Sequence, residues 1–328
     1  MRSRSWLALT ASVVLALGIA ACGDDDDEAG GGGGGEQAEN LSGAIKIDGS
    51  STVAPLSEGA AEAFQTENPN VRVTVGTSGT GGGFEKFCNG ETDISDASRA
   101  IKDEEKEACA KNGIEFAELT VANDGLAVVV NPENPVTCLT TEQLKQVWDT
   151  DSRVSSWNDI DGLEPTFDAD LDLFGPGTDS GTFDFFTEAI NGEEGRQRTK
   201  YNNVGEDDNQ TVRGVAGSEG GMGYFGLSFV KENEGTVKPL EVDGGKGCVA
   251  PSDETVQSGE YAPLGRPLYI YPSNKALQRP EVKAFIDFYI QNAQSIAEQA
   301  LFVPLTEQQT TEAASKVEEL TAGGGAAE

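Results

Sequence analysis

Histidine is absent from the 328-residue sequence, and basic residues are few. Without histidine the chain can form neither a Ser–His–Asp nor a Cys–His catalytic site, and no histidine-ligated zinc or haem site. The 23 Lys and Arg residues stand against 56 Asp and Glu, which gives a formal net charge of −33 at pH 7. Because nucleic-acid binding relies on clustered Lys and Arg, this balance argues against a DNA or RNA partner.

The N-terminal apolar run is too short for a membrane span. Arg2 and Arg4 precede the run, which extends from Trp6 to Ala21 and falls below the roughly 20 residues that a transmembrane helix needs. A positively charged start followed by a short apolar stretch is typical of a secretory signal peptide. We therefore predict a signal peptide over residues 1–21, with a transmembrane helix as the alternative.

Cys22 follows this segment and completes the sequence Ile19-Ala20-Ala21-Cys22, which resembles a bacterial lipobox. Cys22 is then expected to become the lipidated N-terminus of the mature protein. Residues 22–41 contain an acidic run and six consecutive glycines, a composition that cannot bury apolar surface. We predict a flexible linker that holds an exported domain at the outer face of the cytoplasmic membrane, in the periplasm or at the cell surface.

The rest of the chain alternates strand and helix patterns. Its length predicts about two domains, and a hydrophobic content of 37% is enough for their cores. Strand patterns cover residues 44–48, 71–75, 126–130, 171–174 and 268–271. Helix patterns cover residues 55–68 and 281–301, with further helices expected from Phe84, after a Thr140–Gln143 capping box and after Thr182. Strand–loop–helix units predict an α/β fold with mainly parallel sheets, in which ligands bind beyond the strand ends.

Three loops have a composition suited to binding an anion: Gly49–Thr52, Gly79–Gly83 and Asp179–Thr182. Each joins a strand to a helix start, where unpaired backbone N–H groups and hydroxyls can donate to an oxyanion and glycine permits close approach. The alternative is that the Ser and Thr residues only cap the helices. The loops lack the lysine of a P-loop and the G-x-G-x-x-G spacing of a dinucleotide site, which argues against a nucleotide ligand.

A fourth segment, Asp93–Ala100, places Ser98 beside Arg99 at the end of a strand pattern. A guanidinium group offers a fork of donors that matches a tetrahedral oxyanion. Arg99 is the only cation in the four segments, so we expect it to contribute most to anion binding. The alternative is a surface salt bridge between Arg99 and Asp103 or Glu104.

Together the four segments resemble the PstS family, the phosphate-binding proteins of bacterial phosphate ABC transporters. The resemblance extends from about Ser42 to Leu305 and includes an identical S-G-T. The phosphate-binding positions that it implies are Ser50, Ser51, Thr52, Thr80, Ser98, Arg99, Ser180, Gly181 and Thr182.

The sequence departs from the family pattern at two positions. One branch has an aspartate near the position of Ser98, which accepts the phosphate proton, and an arginine near the position of Pro176. Here Ser98 and Arg99 resemble the S-R dipeptide of another branch. The proton acceptor therefore stays open among Asp179, Asp48 and Asp124, and Asp179 is the expected one because it precedes the S-G-T.

The resemblance also implies an architecture and a function. It implies a two-lobe, type II periplasmic-binding-protein-like fold with a hinge of two crossing strands. One lobe would comprise residues 42–126 plus 267–320 and the other residues 127–266, while the glycine-rich residues 321–328 predict a disordered tail. The function implied is non-enzymatic: binding of inorganic phosphate in a closing cleft and delivery to the permease subunits of an ABC transporter, without cofactor or metal.

Three alternatives remain open for the function. The site could bind another tetrahedral oxyanion such as sulfate. The chain could be a secreted hydrolase that uses Ser180, although no histidine is present to act as a base. It could also be an adhesive surface lipoprotein, which would leave the anion-binding loops unexplained.

Apart from Cys22 the chain has four cysteines, an even number that predicts disulfides in an exported protein. Three pairings are open. We expect Cys88–Cys109 and Cys138–Cys248, because each pair then lies within one lobe and leaves the hinge free. Four free buried thiols are the alternative.

Overall fold

The computed structural model describes residues 41–205 and 207–323. The predicted signal peptide, the predicted lipidation site Cys22 and residues 22–40 of the predicted linker lie outside these residues. None of the described helices is both long and apolar enough to cross a membrane.

The described residues form strands and helices in alternation. The strands are β1 (Gly43–Gly49), β2 (Val71–Gly76), β3 (Ile94–Ala97), β4 (Leu119–Val130), β5 (Cys138–Thr140), β6 (Asp172–Gly175), β7 (Asn202–Asn203), β8 (Gly221–Gly226), β9 (Lys238–Pro239), β10 (Glu241–Asp243), β11 (Cys248–Val249) and β12 (Gly265–Pro272). The α-helices are α1 (Ala54–Glu67), α2 (Gly79–Cys88), α3 (Asp103–Lys111), α4 (Thr141–Trp148), α5 (Gly181–Phe186), α6 (Asp208–Gly217), α7 (Leu227–Glu232), α8 (Asp253–Gln257), α9 (Pro280–Gln291), α10 (Ala293–Gln299) and α11 (Glu307–Gly323). A π-helical turn, Thr187–Asn191, continues α5.

The large sheet has the strand order β2-β1-β3-β12-β4-β8-β6-β7, and β9 also pairs with β4. Its two flanks, β2-β1-β3 and β8-β6-β7, are parallel, while β12 and β4 in the centre run antiparallel to their neighbours. A smaller sheet has the order β11-β10-β5. The predicted α/β class is confirmed, but the expectation of mainly parallel sheets is met only on the flanks.

Strand β4 contributes to the hydrophobic cores of both lobes. Leu119, Val121 and Ala122 pack in a core with α1 and α9, whereas Leu126–Val130 pack in a second core with α4 and β8. The second core is rich in aromatic rings, and its Phe186 and Tyr224 rings are stacked with centroids 3.8 Å apart. Because a single strand enters both cores, it joins the lobes of a two-lobe fold.

Several elements differ from the sequence-based prediction. Helix α2 begins at Gly79 instead of near Phe84. The predicted helix 281–301 is interrupted at Asn292, whose side-chain amide donates to the Phe288 carbonyl at 2.8 Å and so competes with the helical hydrogen bonds. Helix α11 continues to Gly323, three residues into the predicted disordered tail, and residues 324–328 lie outside the described residues.

Local signals that involve neighbouring residues are found as predicted. The Thr140–Gln143 capping box opens α4, with the Gln143 backbone N–H donating to Thr140 Oγ1 at 3.1 Å and the Thr140 backbone N–H donating to Gln143 Oε1 at 2.9 Å.

The structure also contains the Cys88–Cys109 and Cys138–Cys248 disulfides.

Asp96 on β3 is a fully buried carboxyl group beneath the first loop. Its Oδ1 accepts a hydrogen bond from Ser57 Oγ at 2.9 Å, while its Oδ2 is buried without a partner among the described residues. Burial raises the pKa of Asp96 to about 8, and the negative charges of Asp48 and Glu58 act in the same direction. Asp96 therefore carries a proton in the folded protein at neutral pH.

This proton makes stability depend on pH. The unfolded chain releases it above about pH 4, whereas the folded protein keeps it up to about pH 8, so stability falls as the pH rises between these values. We expect Asp96→Asn to gain stability relative to wild type across this window, by up to about 1.4 kcal/mol per pH unit. Urea unfolding at several pH values measures the difference, with exposed Asp103→Asn as the control. A difference that does not change with pH would contradict this account.

Candidate functional site

A cavity of about 30 Å³ lies where the loops after β1, β2 and β3 meet α5 and β12. The lining residues from the first three loops are Ser50, Ser51, Thr52, Gly79, Thr80 and Ser98. The lining residues from later in the chain are Asp184, Phe185, Glu188, Glu194 and Arg266. Five of the nine predicted site residues therefore face one cavity.

The first loop is held tightly against β3. The Ser50 N–H donates to the Asp96 carbonyl at 2.9 Å, and a Cβ atom at Gly49 would lie 2.0 Å from that same oxygen. Gly49 also has a φ of +151°, so only glycine fits this close approach. The contact fixes Ser50–Thr52 at the start of α1, where the helix dipole favours negative charge.

The second loop is shorter than predicted because its glycines belong to helix α2. A Cβ atom at Gly83 would lie 2.5 Å from Gly49 Cα and 2.9 Å from Ser95 Oγ, so glycine lets the helix pack directly on the first loop. Thr80 lies in the first turn of α2. Its Oγ1 is 3.0 Å from Ser98 Oγ and also accepts a hydrogen bond from the Ser98 N–H at 3.2 Å. Two predicted site residues from separate segments are thus joined directly.

Arg99 is bound to a carboxylate close to the cavity. Its guanidinium makes a two-pronged salt bridge with Glu105, with N–O distances of 2.9 and 2.8 Å, and lies 5.7 Å from the centre of the Phe84 ring. The hydrogen bond to Glu105 raises the pKa of Arg99. Arg99 is not among the residues that line the 30 Å³ cavity. Its salt-bridge partner is Glu105, whereas the sequence suggested Asp103 or Glu104.

The S-G-T segment also lies beside the cavity without lining it. Ser180 caps α5, because its Oγ accepts a hydrogen bond from the Thr182 N–H at 3.3 Å. An added Cβ atom at Gly181 would lie 3.0 Å from Thr52 Oγ1. The third predicted loop therefore lies directly against the first one.

Arg266 on β12 is a cavity residue that the sequence analysis missed. Its side chain is only 13% exposed, and its Nη2 lies 3.4 Å from both Thr52 Oγ1 and Asp124 Oδ2. The guanidinium also lies 3.6 Å from the centre of the Phe185 ring, a cation–π distance. The available signal in the sequence was an arginine beside Pro267 at the edge of an apolar strand. Local sequence patterns could not reveal its pairing with Asp124, which is 142 positions away.

Asp184 in α5 is the second missed residue. It is half-buried, and burial, followed by the negative charge of Glu194, raises its pKa to about 6. The signal in the sequence was its position in the helix that the S-G-T opens, four residues after Ser180.

The three aspartates predicted as candidate proton acceptors, Asp179, Asp48 and Asp124, lie in environments that differ from that of Asp184. Asp179 is exposed and does not line the cavity. Asp48 accepts from Lys86 Nζ at 2.6 Å, and this bond helps to lower its pKa against the opposing effect of burial. Asp124 is paired with Arg266. Of the described carboxyl groups, it is Asp184 that combines a raised pKa with a place in the cavity wall.

One group among the described residues has the spacing of metal ligands: Cys138, Glu241 and Cys248. Because its two cysteines form a disulfide, they offer no thiolate to a metal ion.

Comparisons with known proteins agree on one family. The sequence model of a PBP superfamily domain matches residues 34–293. The chain is 46% identical to Protein SphX of Synechococcus elongatus over 82% of this chain and 80% of that protein. It is 40% identical to the phosphate-binding protein PstS of Staphylococcus saprophyticus over 85% of each chain. A crystal structure described as a possible phosphate binding protein from Planctomyces limnophilus is 40% identical, with a TM-score of 0.81 over 85% of this chain and 99% of that chain.

The packing of α2 on the first loop gives a testable prediction. Gly83→Ala should destabilise the fold by about 1–3 kcal/mol, because the new methyl group overlaps backbone atoms of the first loop. Gly81→Ala in the same helix is the matched control: its Cβ would meet only Arg99 Nη2 at 4.0 Å, so better helix propensity should stabilise the protein slightly. Thermal unfolding of both variants measures the contrast. Equal effects would show that α2 does not need glycine at position 83.

Proposed function

Because the chain belongs to the PBP superfamily, within the family of the PstS phosphate-binding proteins, we propose that it binds inorganic phosphate in the 30 Å³ cavity. The observation that carries this proposal is the meeting of hydroxyl groups from three loops with the buried guanidinium of Arg266. Hydroxyls and guanidinium groups are donors, and phosphate presents acceptor oxygens in every direction.

The proposed ligands fall into two sets. Ser50, Ser51, Thr52, Thr80 and Ser98 line the cavity and donate to phosphate from one side. Arg99, Ser180, Gly181 and Thr182 lie next to the cavity and join the ligand as the lobes adjust around it. Micromolar binding needs about 8 kcal/mol, which several charge-assisted hydrogen bonds of about 1.5–3 kcal/mol each can supply.

Closure of the cleft follows from the two-lobe organisation. We place one lobe at residues 42–126 plus 267–320 and the other at residues 127–266. The two hydrophobic cores and the contact of Gly181 with Thr52 support this division. Phosphate bonded to both lobes stabilises the closed state over the open one, because only the closed state offers both sets of donors.

The charged partner of phosphate can be identified by substitution. Arg266→Gln should weaken phosphate binding about tenfold to a hundredfold, since it removes a charge-assisted bond and leaves the Asp124 carboxylate unpaired beside the ligand. Arg99→Gln should weaken phosphate binding less, because the Arg99 guanidinium is already paired with Glu105. Isothermal titration with phosphate measures both variants.

The Asp124→Asn/Arg266→Gln double variant serves as the control for folding. It removes the buried pair as a unit, so the fold should be restored while phosphate binding stays weak. A larger loss of binding in Arg99→Gln than in Arg266→Gln would instead support the sequence-based expectation that Arg99 is the main cation.

Selectivity for phosphate needs a proton acceptor, and we assign that role to Asp184 in place of Asp179. Phosphate near neutral pH carries at least one proton, whereas sulfate carries none. Above about pH 6 the Asp184 carboxylate is ionised and can accept a hydrogen bond from the phosphate O–H. The same carboxylate would face sulfate as an unpaired negative charge, a mismatch worth about 1–3 kcal/mol.

This assignment predicts a pH-dependent preference. At pH 8 the protein should bind phosphate at least tenfold more tightly than sulfate, and the preference should fall at pH 5, where Asp184 is protonated and can donate to sulfate. Asp184→Asn should remove the preference at pH 8. Competition titrations of wild type, Asp184→Asn and Asp179→Asn decide between the two acceptors. Equal affinities of the wild type for both anions at pH 8 would refute a carboxylate acceptor.

We further propose that the protein is an exported receptor and not an enzyme. The N-terminal signal pattern, the lipobox-like Cys22 and the two disulfides support export and attachment to the outer face of the membrane. Family membership supports delivery of phosphate to the permease subunits of an ABC transporter. A hydrolase that uses Ser180 has little support, because Ser180 caps a helix and the chain has no histidine base.

A further inference from the structure

Asp96 supports the first loop of the anion site through its backbone. On β3 it is paired with Gly49, the last residue of β1, and its carbonyl oxygen accepts a hydrogen bond from the Ser50 N–H at 2.9 Å. An added Cβ atom at Gly49 would lie 2.0 Å from that oxygen, so the two backbones are in close contact. The Asp96 backbone therefore helps to fix the hydroxyl groups of Ser50–Thr52 in the wall of the 30 Å³ cavity.

The Asp96 side chain belongs to a buried polar cluster with Ser57 of α1 and Tyr289 of α9, and all three residues are fully buried. Ser57 Oγ donates to Asp96 Oδ1 at 2.9 Å and lies 3.3 Å from the Tyr289 hydroxyl oxygen. Asp96 Oδ2 has no hydrogen-bond partner among the described residues. A buried carboxylate needs a cation or several donors, and one hydroxyl group does not meet that need.

The charged neighbours of Asp96 also disfavour its ionised form. Asp48 on β1 and Glu58 on α1 both act on it with negative charge. Asp48 is itself paired with Lys86 of α2 at 2.6 Å. Tyr289, from α9, is a phenol whose pKa burial raises well above its ordinary value, so it stays neutral. These neighbours together leave a negative charge on Asp96 without compensation.

The start of α1 contacts both the anion cavity and Asp96. Residues Ser50–Thr52 precede the helix and line the cavity, while Ser57 lies in its first turn and donates to Asp96. The partial positive charge at a helix N-terminus stabilises a negative group nearby. Two negative groups at the same helix start repel each other, and salt screens buried charges only weakly. An ionised Asp96 would therefore oppose an anion in the cavity.

We propose that Asp96 is a positioning residue for the anion site and that its side chain must be uncharged for phosphate to bind tightly. This inference rests on the proposed function, because it concerns the same site. The coupling is reciprocal: if ionisation of Asp96 weakens phosphate binding by some factor, bound phosphate raises the pKa of Asp96 to the same extent. We expect a factor of about ten, which corresponds to about one pH unit.

Isothermal titration of the mature protein with phosphate at several pH values tests the coupling. Because the Asp96 carboxyl has a pKa of about 8, wild type and Asp96→Asn should bind phosphate within about twofold of each other at pH 7. At pH 9.5 the wild type should bind about five- to tenfold more weakly than Asp96→Asn. Ionisation of phosphate itself cancels in this comparison. Glu62→Gln, which removes an exposed carboxylate from α1, should follow the wild type at both pH values.

Infrared titration of the wild type gives a second measurement that needs no substitution. The C=O band of a protonated carboxyl group should disappear near pH 8 as Asp96 ionises. Bound phosphate should move this change about one pH unit higher. The infrared result decides the matter even if Asp96→Asn fails to fold, and thermal unfolding of each variant shows whether it folds.

The outcomes separate this inference from the proposed function. A ratio of wild-type to Asp96→Asn affinity that stays constant from pH 7 to pH 9.5 would overturn the inference and leave the phosphate receptor intact. A carboxyl band whose titration is the same with and without phosphate would also overturn it. Failure of the wild type to bind phosphate at any of these pH values would overturn the proposed function itself.

Discussion

The antiparallel pairing of β4 with β12 is the constraint on which the rest of the structure depends. Both strands run through the centre of the large sheet, and their pairing sets Arg266 directly opposite Asp124. One half of β4 packs in each hydrophobic core, so the pairing joins the lobes. A buried ion pair at this position stabilises only while both partners remain, since either charge alone would be strongly unfavourable. Strand β12 therefore takes part both in the pairing that joins the lobes and, through Arg266, in the wall of the proposed anion site.

The charges around the cavity explain how an acidic protein can bind an anion. Among the described residues, Asp184, Glu188 and Glu194 line the cavity together with the guanidinium of Arg266. Surface charges beyond about 8–10 Å are screened by salt, so the overall charge of −33 matters less than these neighbours. Glu188 and Glu194 are exposed and partly screened, while the Asp184 carboxylate can accept a hydrogen bond from a protonated phosphate oxygen. In the proposed site, the local hydroxyl groups, the guanidinium and this hydrogen bond together favour phosphate over a fully ionised anion.

Sequence patterns predicted the features that depend on neighbouring residues. The strand–helix alternation, the Thr140 capping box and the hydroxyl-rich loops all follow from local spacing, and the structure contains them. Features that depend on long-range packing were not predictable in this way. Helix α2 includes the glycine run because Gly83 must pack on Gly49, and Arg266 enters the site through a strand pairing that no local pattern encodes. The match to the family's binding loops likewise could not show that the Arg99 guanidinium forms a salt bridge with Glu105.

In the proposed complex, phosphate lies between the two lobes and is held by hydroxyl groups of the first three loops and by Arg266. A crystal structure of the mature protein grown with phosphate tests this most directly. We expect tetrahedral density in the cavity, with oxygens within about 3 Å of the Thr52, Thr80 and Ser98 hydroxyls and of the Arg266 guanidinium. Phosphate bound outside this cavity, or bound in it with Arg266 still turned only toward Asp124, would contradict the account.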